Sequence, residues 1–166
     1  YEIKLATLTS GLQVDERIYD DLDDMLSDCR EAGLNPIVCS AYRTEATQTR
    51  LYRNKVARVR ASGVPEDRVE AEAARWVAKP GTSEHQTGLA LDINVASLSA
   101  RFEETAEYAW LSAHSWEYGF ILRFPQGKED LTGYLFEPWH YRYVGVENAK
   151  AMEAAGQCLE EYLGLA

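Results

Sequence analysis

TSEHQTGLALDINV, residues 82–95, reads as a loop that runs into a strand. Leu89, Leu91, Ile93 and Val95 alternate with Ala90, Asp92 and Asn94, and side chains along a strand point to opposite faces with period two. The large apolar residues take one face and Asp92 emerges on the other. Gly88 permits a sharp turn just before the strand, so His85 on the loop can fold back toward Asp92. Burying a charge is costly unless it is paired. An ordinary His–Asp hydrogen bond would satisfy both groups, and only a third polar group makes a stronger reading necessary.

Outward from this strand, helices and short strands are mixed. Val14, Ile18, Leu22, Met25, Leu26 and Cys29 recur at helical spacing before Gly33, which predicts an amphipathic helix over residues 15–32. Asp15, Asp20, Asp21, Asp23, Asp24 and Asp28 read as its solvated face, since no Gly-centred loop of calcium-binding spacing accompanies them. IVCSAY at 37–42 predicts a strand, and Thr44 an N-cap for a basic helix running to about Arg60. A Gly-Pro break, a helix over 66–77 and a Pro80-Gly81 turn follow, and this 60–81 excursion is either a plain surface helix or a flap over a cleft. A helix over 103–117 ended by Gly119, a short strand in FILRF, a strand opening at His140 and a last helix over 146–163 complete the chain. Val146, Ala149, Met152, Leu159 and Tyr162 of that last helix can dock on the core. No regular strand–helix alternation of a parallel sheet is present. The expected class is α+β, with a largely antiparallel central sheet flanked by helices.

The chain has 166 residues, 46% of them apolar. That is enough to bury a core as a single domain over residues 1–166 without disulfides or structural metal, so a metal here would serve function. A net charge of −10 argues against a generic nucleic-acid binder and favours small-molecule or peptide partners. No apolar run is long enough for a membrane span. The start, YEIKLATLTSG, lacks an initiator Met and an export-signal pattern, which suggests a chain trimmed from a longer one. Cys29, Cys39 and Cys158 are too few and scattered for a disulfide framework. They read as buried thiols, with a Cys29–Cys39 bridge as the lesser alternative.

The third polar group comes from FEPWHYRYVG at 136–145, where Glu137 and His140 flank Pro138 and Trp139. Pro138 prevents regular pairing, so the loop can aim both side chains into one cavity. Two histidines and an aspartate form a standard zinc set with one position left open, and a separate carboxylate can act as general base. His85, Asp92 and His140 would hold the metal, and Glu137 would move the proton. In SAYRTEATQ at 40–48, Arg43 follows a strand, where a guanidinium can clamp a carboxylate or steady an oxyanion. His114 reads as a capping or core-edge histidine, and Trp76, Trp110 and Trp116 as core. Trp139 either walls the cleft or packs, and Tyr141 and Tyr143 face away from Arg142.

SAYRTEATQ, GTSEHQTGLALDI and EPWHYRYVG, in this order, resemble the VanY-type D-alanyl-D-alanine carboxypeptidases over about residues 11–160. These are relatives of the VanX dipeptidases and, in fold, of the hedgehog and lysostaphin-like zinc domains. The resemblance implies one zinc ion on His85, Asp92 and His140, Glu137 as catalytic base, and Arg43 as the arginine that contacts substrate and stabilises the transition state. It also matches Gln48 and Ser83 to positions contacting the terminal D-residue. The implied substrates are peptidoglycan stem peptides ending in D-Ala, with D,D-carboxypeptidase activity preferred over L,D-carboxypeptidase or D,D-dipeptidase activity. A cell-wall binding module that keeps the metal is the non-catalytic alternative, and a wall-cleaving endopeptidase the catalytic one. The implied setting is a monomer on the extracellular face of the bacterial cell envelope, anchored through a missing N-terminal segment, with the cytoplasm as the alternative.

Overall fold

The computed structural model describes residues 1–165. A short hairpin of β1 (Leu5–Thr7) and β2 (Gln13–Asp15) leads through one 3-10 turn into α1 (Tyr19–Glu31). Then come β3 (Ile37–Ser40), α2 (Glu45–Ala61), α3 (Glu66–Ala74), a 3-10 turn at Glu84–Thr87, and β4 (Ala90–Asn94). The second half holds α4 (Ala106–His114), β5 (Phe120–Leu122), α5 (Glu129–Thr132), β6 (His140–Tyr143), α6 (Val146–Ala155) and α7 (Leu159–Tyr162). The central sheet has the order β3-β4-β6-β5, and every neighbouring pair is antiparallel. The fold is α+β, as the sequence pattern predicts.

The sheet's register brings distant residues together. Asp92 stands opposite His140 on one side and opposite Ser40 on the other, after a register shift between Val38 and Ser40. The period-two split of β4 holds: Leu91 and Ile93 enter the main core with Val14, Ile18, Leu22, Met25, Phe102, Leu111, Phe120 and Tyr141. Asp92 is left on the other face. There α2 and α3 pack on each other through Val59, Val69 and Ala73.

Several expectations are corrected. Residues 13–15 are strand, so Asp15 does not lie on a solvated helix face. It is fully buried, accepts from the Arg17 backbone at 3.0 Å and pairs with the Arg17 guanidinium at 2.8 Å. Its own amide donates to the Gly88 carbonyl at 2.9 Å. Gly88 has a φ of +74°, and a Cβ there would come within 2.8 Å of the Asp15 nitrogen, so both conformation and close approach demand glycine. Asp21 and Asp28 are not merely solvated, since they accept from the hydroxyls of Tyr143 and Tyr118.

The 103–117 helix starts later than its apolar pattern suggests, because Thr105 caps α4 by accepting from Tyr108 N at 3.1 Å. The last helix is two, interrupted at Gly156 with φ +63°. Ala149 and Met152 dock as expected with Leu159 against them, but Tyr162 stays exposed. Trp76 is exposed rather than core, beneath the ammonium of Lys55 at 4.3 Å. All three cysteines are free, and Cys39, on edge strand β3, is exposed rather than buried. Among the described residues no helix is long and apolar enough to cross a membrane.

Candidate active site

Each motif arrives at one point by a different route. His85 sits on the 3-10 turn before Gly88, and its Nδ1 lies 2.9 Å from the Ala41 carbonyl. A carbonyl can only accept, so Nδ1 carries the proton and Nε2 is left facing the site. The Arg43 amide donates to the His85 carbonyl at 3.0 Å, which ties the 40–48 and 81–93 motifs together through the backbone. Asp92 comes from the middle of the sheet and His140 from the first residue of β6, directly opposite.

His85 Nε2 and His140 Nδ1 stand 3.3 and 3.6 Å from Asp92 Oδ1, and one ligand atom from each residue falls within 4.8 Å of the others. Asp92 Oδ1 is buried without a hydrogen-bond partner. A buried acceptor in that state costs roughly 1–3 kcal/mol. Two imidazole nitrogens and this orphaned oxygen aimed at a common centre are the donor set that suits a zinc ion. Asp92's other oxygen accepts from Arg43 Nη2 at 2.9 Å. Burial works against the Asp92 carboxylate, yet its interactions with His85, His140 and Arg43 outweigh it and hold its pKa below the ordinary value.

Glu137 closes the ring of groups, with Oε2 3.4 Å from His140 Nδ1. Its amide donates to the Phe124 carbonyl at 3.1 Å, which fixes the loop that Pro138 keeps out of the sheet. Arg43 is itself anchored, donating from Nε to Ser40 Oγ at 3.0 Å and from Nη1 to Gln48 Oε1 at 3.4 Å. Gln48 is fully buried and donates to the Ala78 carbonyl at 2.8 Å. Ser83 is buried and lines the same cleft, which has a volume of about 410 Å³. In the 60–81 excursion α3 packs on α2, while Trp76, Val77 and Ala78 beyond it line the cleft. Trp139 does both as well, packing on the main core and lining the cleft.

One residue escaped the sequence reading. Glu84 places Oε2 3.2 Å from His140 Nε2, and its other oxygen accepts from Arg123 at 2.7 Å and Arg142 at 3.3 Å. Burial opposes its charge, but the hydrogen bond with His140 and the surrounding cations bring its pKa down to about 2. For His140, burial also disfavours the charged form, and hydrogen bonds to Glu137 and Glu84 with the Asp92 charge raise its pKa to about 9. A carboxylate on the far nitrogen of a metal-binding histidine fixes the ring's orientation. The available signal was Arg142, which shares a strand face with His140.

Comparison with known proteins shows the family. The family model described as VanY, D-alanyl-D-alanine carboxypeptidase, matches residues 11–146. The chain belongs to the VanY family. A D-alanyl-D-alanine carboxypeptidase of Enterococcus faecalis (strain ATCC 700802 / V583) is 45% identical over 163 residues, covering 98% of this chain and 60% of that protein. The chain spans between 46% and 62% of the length of the curated relatives it matches. Among solved structures, VanYB in complex with D-alanine-D-alanine superposes with a TM-score of 0.92 at 45% identity, covering 99% of this chain and 90% of that one. A glutamate-to-alanine variant of the vancomycin-resistance D,D-pentapeptidase VanY, in complex with Zn(II), gives 0.90 at 45% identity, covering 98% and 90%.

Proposed function

We propose that this VanY-family chain is a zinc-dependent D,D-carboxypeptidase that removes the terminal D-Ala of peptidoglycan stem peptides. The observation that carries this reading is the orphaned Asp92 Oδ1, which faces His85 Nε2 and His140 Nδ1 while Glu137 stands beside them. It is supported by the D-alanine-D-alanine and Zn(II) complexes of the two similar structures.

In this reading His85, Asp92 and His140 hold the ion. A zinc ion there supplies a Lewis acid that polarises the scissile carbonyl and makes water more acidic, toward a pKa of about 7. Arg43, which lines the cleft beside Asp92, clamps the substrate's terminal carboxylate and stabilises developing negative charge. Gln48 and Ser83 give polar contacts to the terminal D-residue. Glu137 accepts a proton from the attacking water and delivers it to the leaving nitrogen as the C–N bond breaks, so that D-Ala departs as a free amine. A binding module would have no use for an unligated carboxylate next to its metal, and Glu137 stands beside His140 in that role, so the catalytic reading is preferred. The setting that goes with this substrate is the extracellular face of the bacterial cell envelope, and the proposed state is a monomer.

The test is a mass-spectrometric assay of zinc-loaded protein with three substrates: a stem pentapeptide ending in D-Ala-D-Ala, a tetrapeptide ending in a single D-Ala, and free D-Ala-D-Ala. D-Ala release from the pentapeptide is expected, abolished by chelator and restored by zinc. Release only from the tetrapeptide would make the chain an L,D-carboxypeptidase, release only from the free dipeptide a dipeptidase, and no release from any would leave the binding module or the wall-cleaving endopeptidase.

A further inference from the structure

Helix α2 presents Gln48, Leu51, Lys55 and Arg58 to the catalytic cleft, and their spacing of three or four residues makes them one stripe. The stripe starts at Gln48, against Arg43, and reaches Arg58 ten residues later, about 15 Å along the helix axis. At that distal end Lys55, Arg58 and Trp76 are shared with a second cavity of about 550 Å³ between α2 and α3.

The second cavity is cationic in a chain of net charge −10. Lys55, Arg58, Arg68 and Arg75 line it with one acid, Glu72. Glu72 is occupied by Arg75 and by Trp76 Nε1, both at 3.3 Å. The nearby acids Glu66 and Glu70 are paired with Arg60 and Lys79. Among the described residues no carboxylate stands at ion-pair distance from Lys55, Arg58 or Arg68. Three unpaired cations around one concavity repel each other and focus a positive potential into it, which an anion relieves.

We propose that this cavity is an anion-binding subsite continuous with the catalytic cleft, and that it takes a free carboxylate carried by the substrate peptide upstream of the cleaved bond. The assignment rests on the carboxypeptidase reading for the peptide's direction, with its terminal carboxylate at Arg43. An extended peptide advances about 3.3 Å per residue, so the stripe spans roughly four residues. A stem pentapeptide in which the second residue is a γ-linked D-glutamate has a free α-carboxylate three residues before its terminus, within reach of Lys55, Arg58 and Arg68. Amidation of that carboxylate keeps the shape and removes the charge.

Two synthetic pentapeptides ending in D-Ala-D-Ala, with the glutamate α-carboxylate either free or amidated, test the subsite. The readout is the ratio of their kcat/KM values. Zinc-loaded parent protein is expected to prefer the free carboxylate about three- to fivefold, mainly through KM, as suits an exposed charge pair. In R68E the ratio falls to about one or below. Equal kcat/KM values in the parent, or an unchanged ratio in R68E, would overturn the proposal. Calorimetric binding of the same peptides to the zinc-loaded E137Q variant reads the subsite with turnover suppressed. A free-carboxylate preference there, with no D-Ala release by the parent, would keep the subsite and remove the carboxypeptidase reading. Equal binding of both peptides would remove the subsite whatever the activity.

Discussion

Asp92 divides its two oxygens between two tasks, one held by Arg43 and the other left toward the histidines, and Glu137 is the carboxylate beside them to which the proposed function gives the proton rather than the metal. This separation makes a sharp prediction. Glu137→Gln keeps the shape and the three ligands, so zinc content should remain near that of the parent while turnover falls by roughly two to four powers of ten, the usual size for loss of a general acid-base group. Metal analysis beside D-Ala release checks it, and undiminished release would sink the base assignment. Arg43→Ala should reduce cleavage of peptides with a free terminal carboxylate far more than of their amides; equal losses on both would remove its clamping role. Gly88 gives a stability test independent of chemistry. Gly88→Ala must hold a side chain at φ +74° with its Cβ against the Asp15 backbone, which should cost about 1–3 kcal/mol in urea unfolding. At this scale the sequence was readable where side chains alternate or motifs recur, as for His85, Asp92 and His140. Glu84 was not, because its meaning depends on Arg123 and Arg142, which only the folded sheet brings to it.

Elements were legible in proportion to how locally they are determined. Helix α2 is capped by Thr44, whose hydroxyl accepts from Thr47 N at 3.2 Å, so four neighbouring residues announce its start. The start of α1 was misplaced because residues 13–15 are held by partners the apolar spacing does not contain, the β1 strand and the Gly88 carbonyl. The C-terminal break at Gly156 was missed for a similar reason, since α7 is placed by ion pairs across the molecule. Arg123 pairs with Glu160 at 2.6 Å, and Lys128 with Glu161 at 2.8 Å. The Lys128 hydrogen bond, helped by the Cys158 amide, brings the Glu161 pKa down from 4.5 to about 2. A carboxylate with a depressed folded pKa adds stability that is present above the unfolded value and is lost as pH falls through the folded one. Lys128→Met should therefore lower stability most above pH 4.5, and its difference from the parent should shrink toward zero as pH approaches about 2. Urea denaturation of both proteins across this range measures it; a difference independent of pH would mean that Lys128 contributes packing alone.

At the scale of the molecule, the main core and the proposed metal seat lie on opposite faces of the same sheet. The core gathers Leu91, Ile93 and Tyr141 with α1 and α4 residues and includes none of His85, Asp92 or His140, so apolar burial does not depend on the ion. Yet the three proposed ligands come from β4, from its neighbour β6 and from the turn before β4. An ion there ties that turn to the sheet. Two consequences separate this arrangement from a metal-dependent fold. Chelation should leave a cooperative unfolding transition, at lower temperature, instead of an unfolded chain. A ligand present at a thousand times its Kd adds about 4 kcal/mol of stability to the state that binds it, and zinc readdition should recover the lost shift. Hydrogen exchange should localise the change, with amides of residues 82–88 losing more protection than those of β5 on the far edge of the sheet. His140→Ala should abolish the zinc-dependent part of the midpoint while leaving the cooperative transition. If chelated protein shows no cooperative melting, the core is not independent of the metal; if verified zinc removal leaves the midpoint unchanged, the orphaned Asp92 oxygen is not where the ion sits.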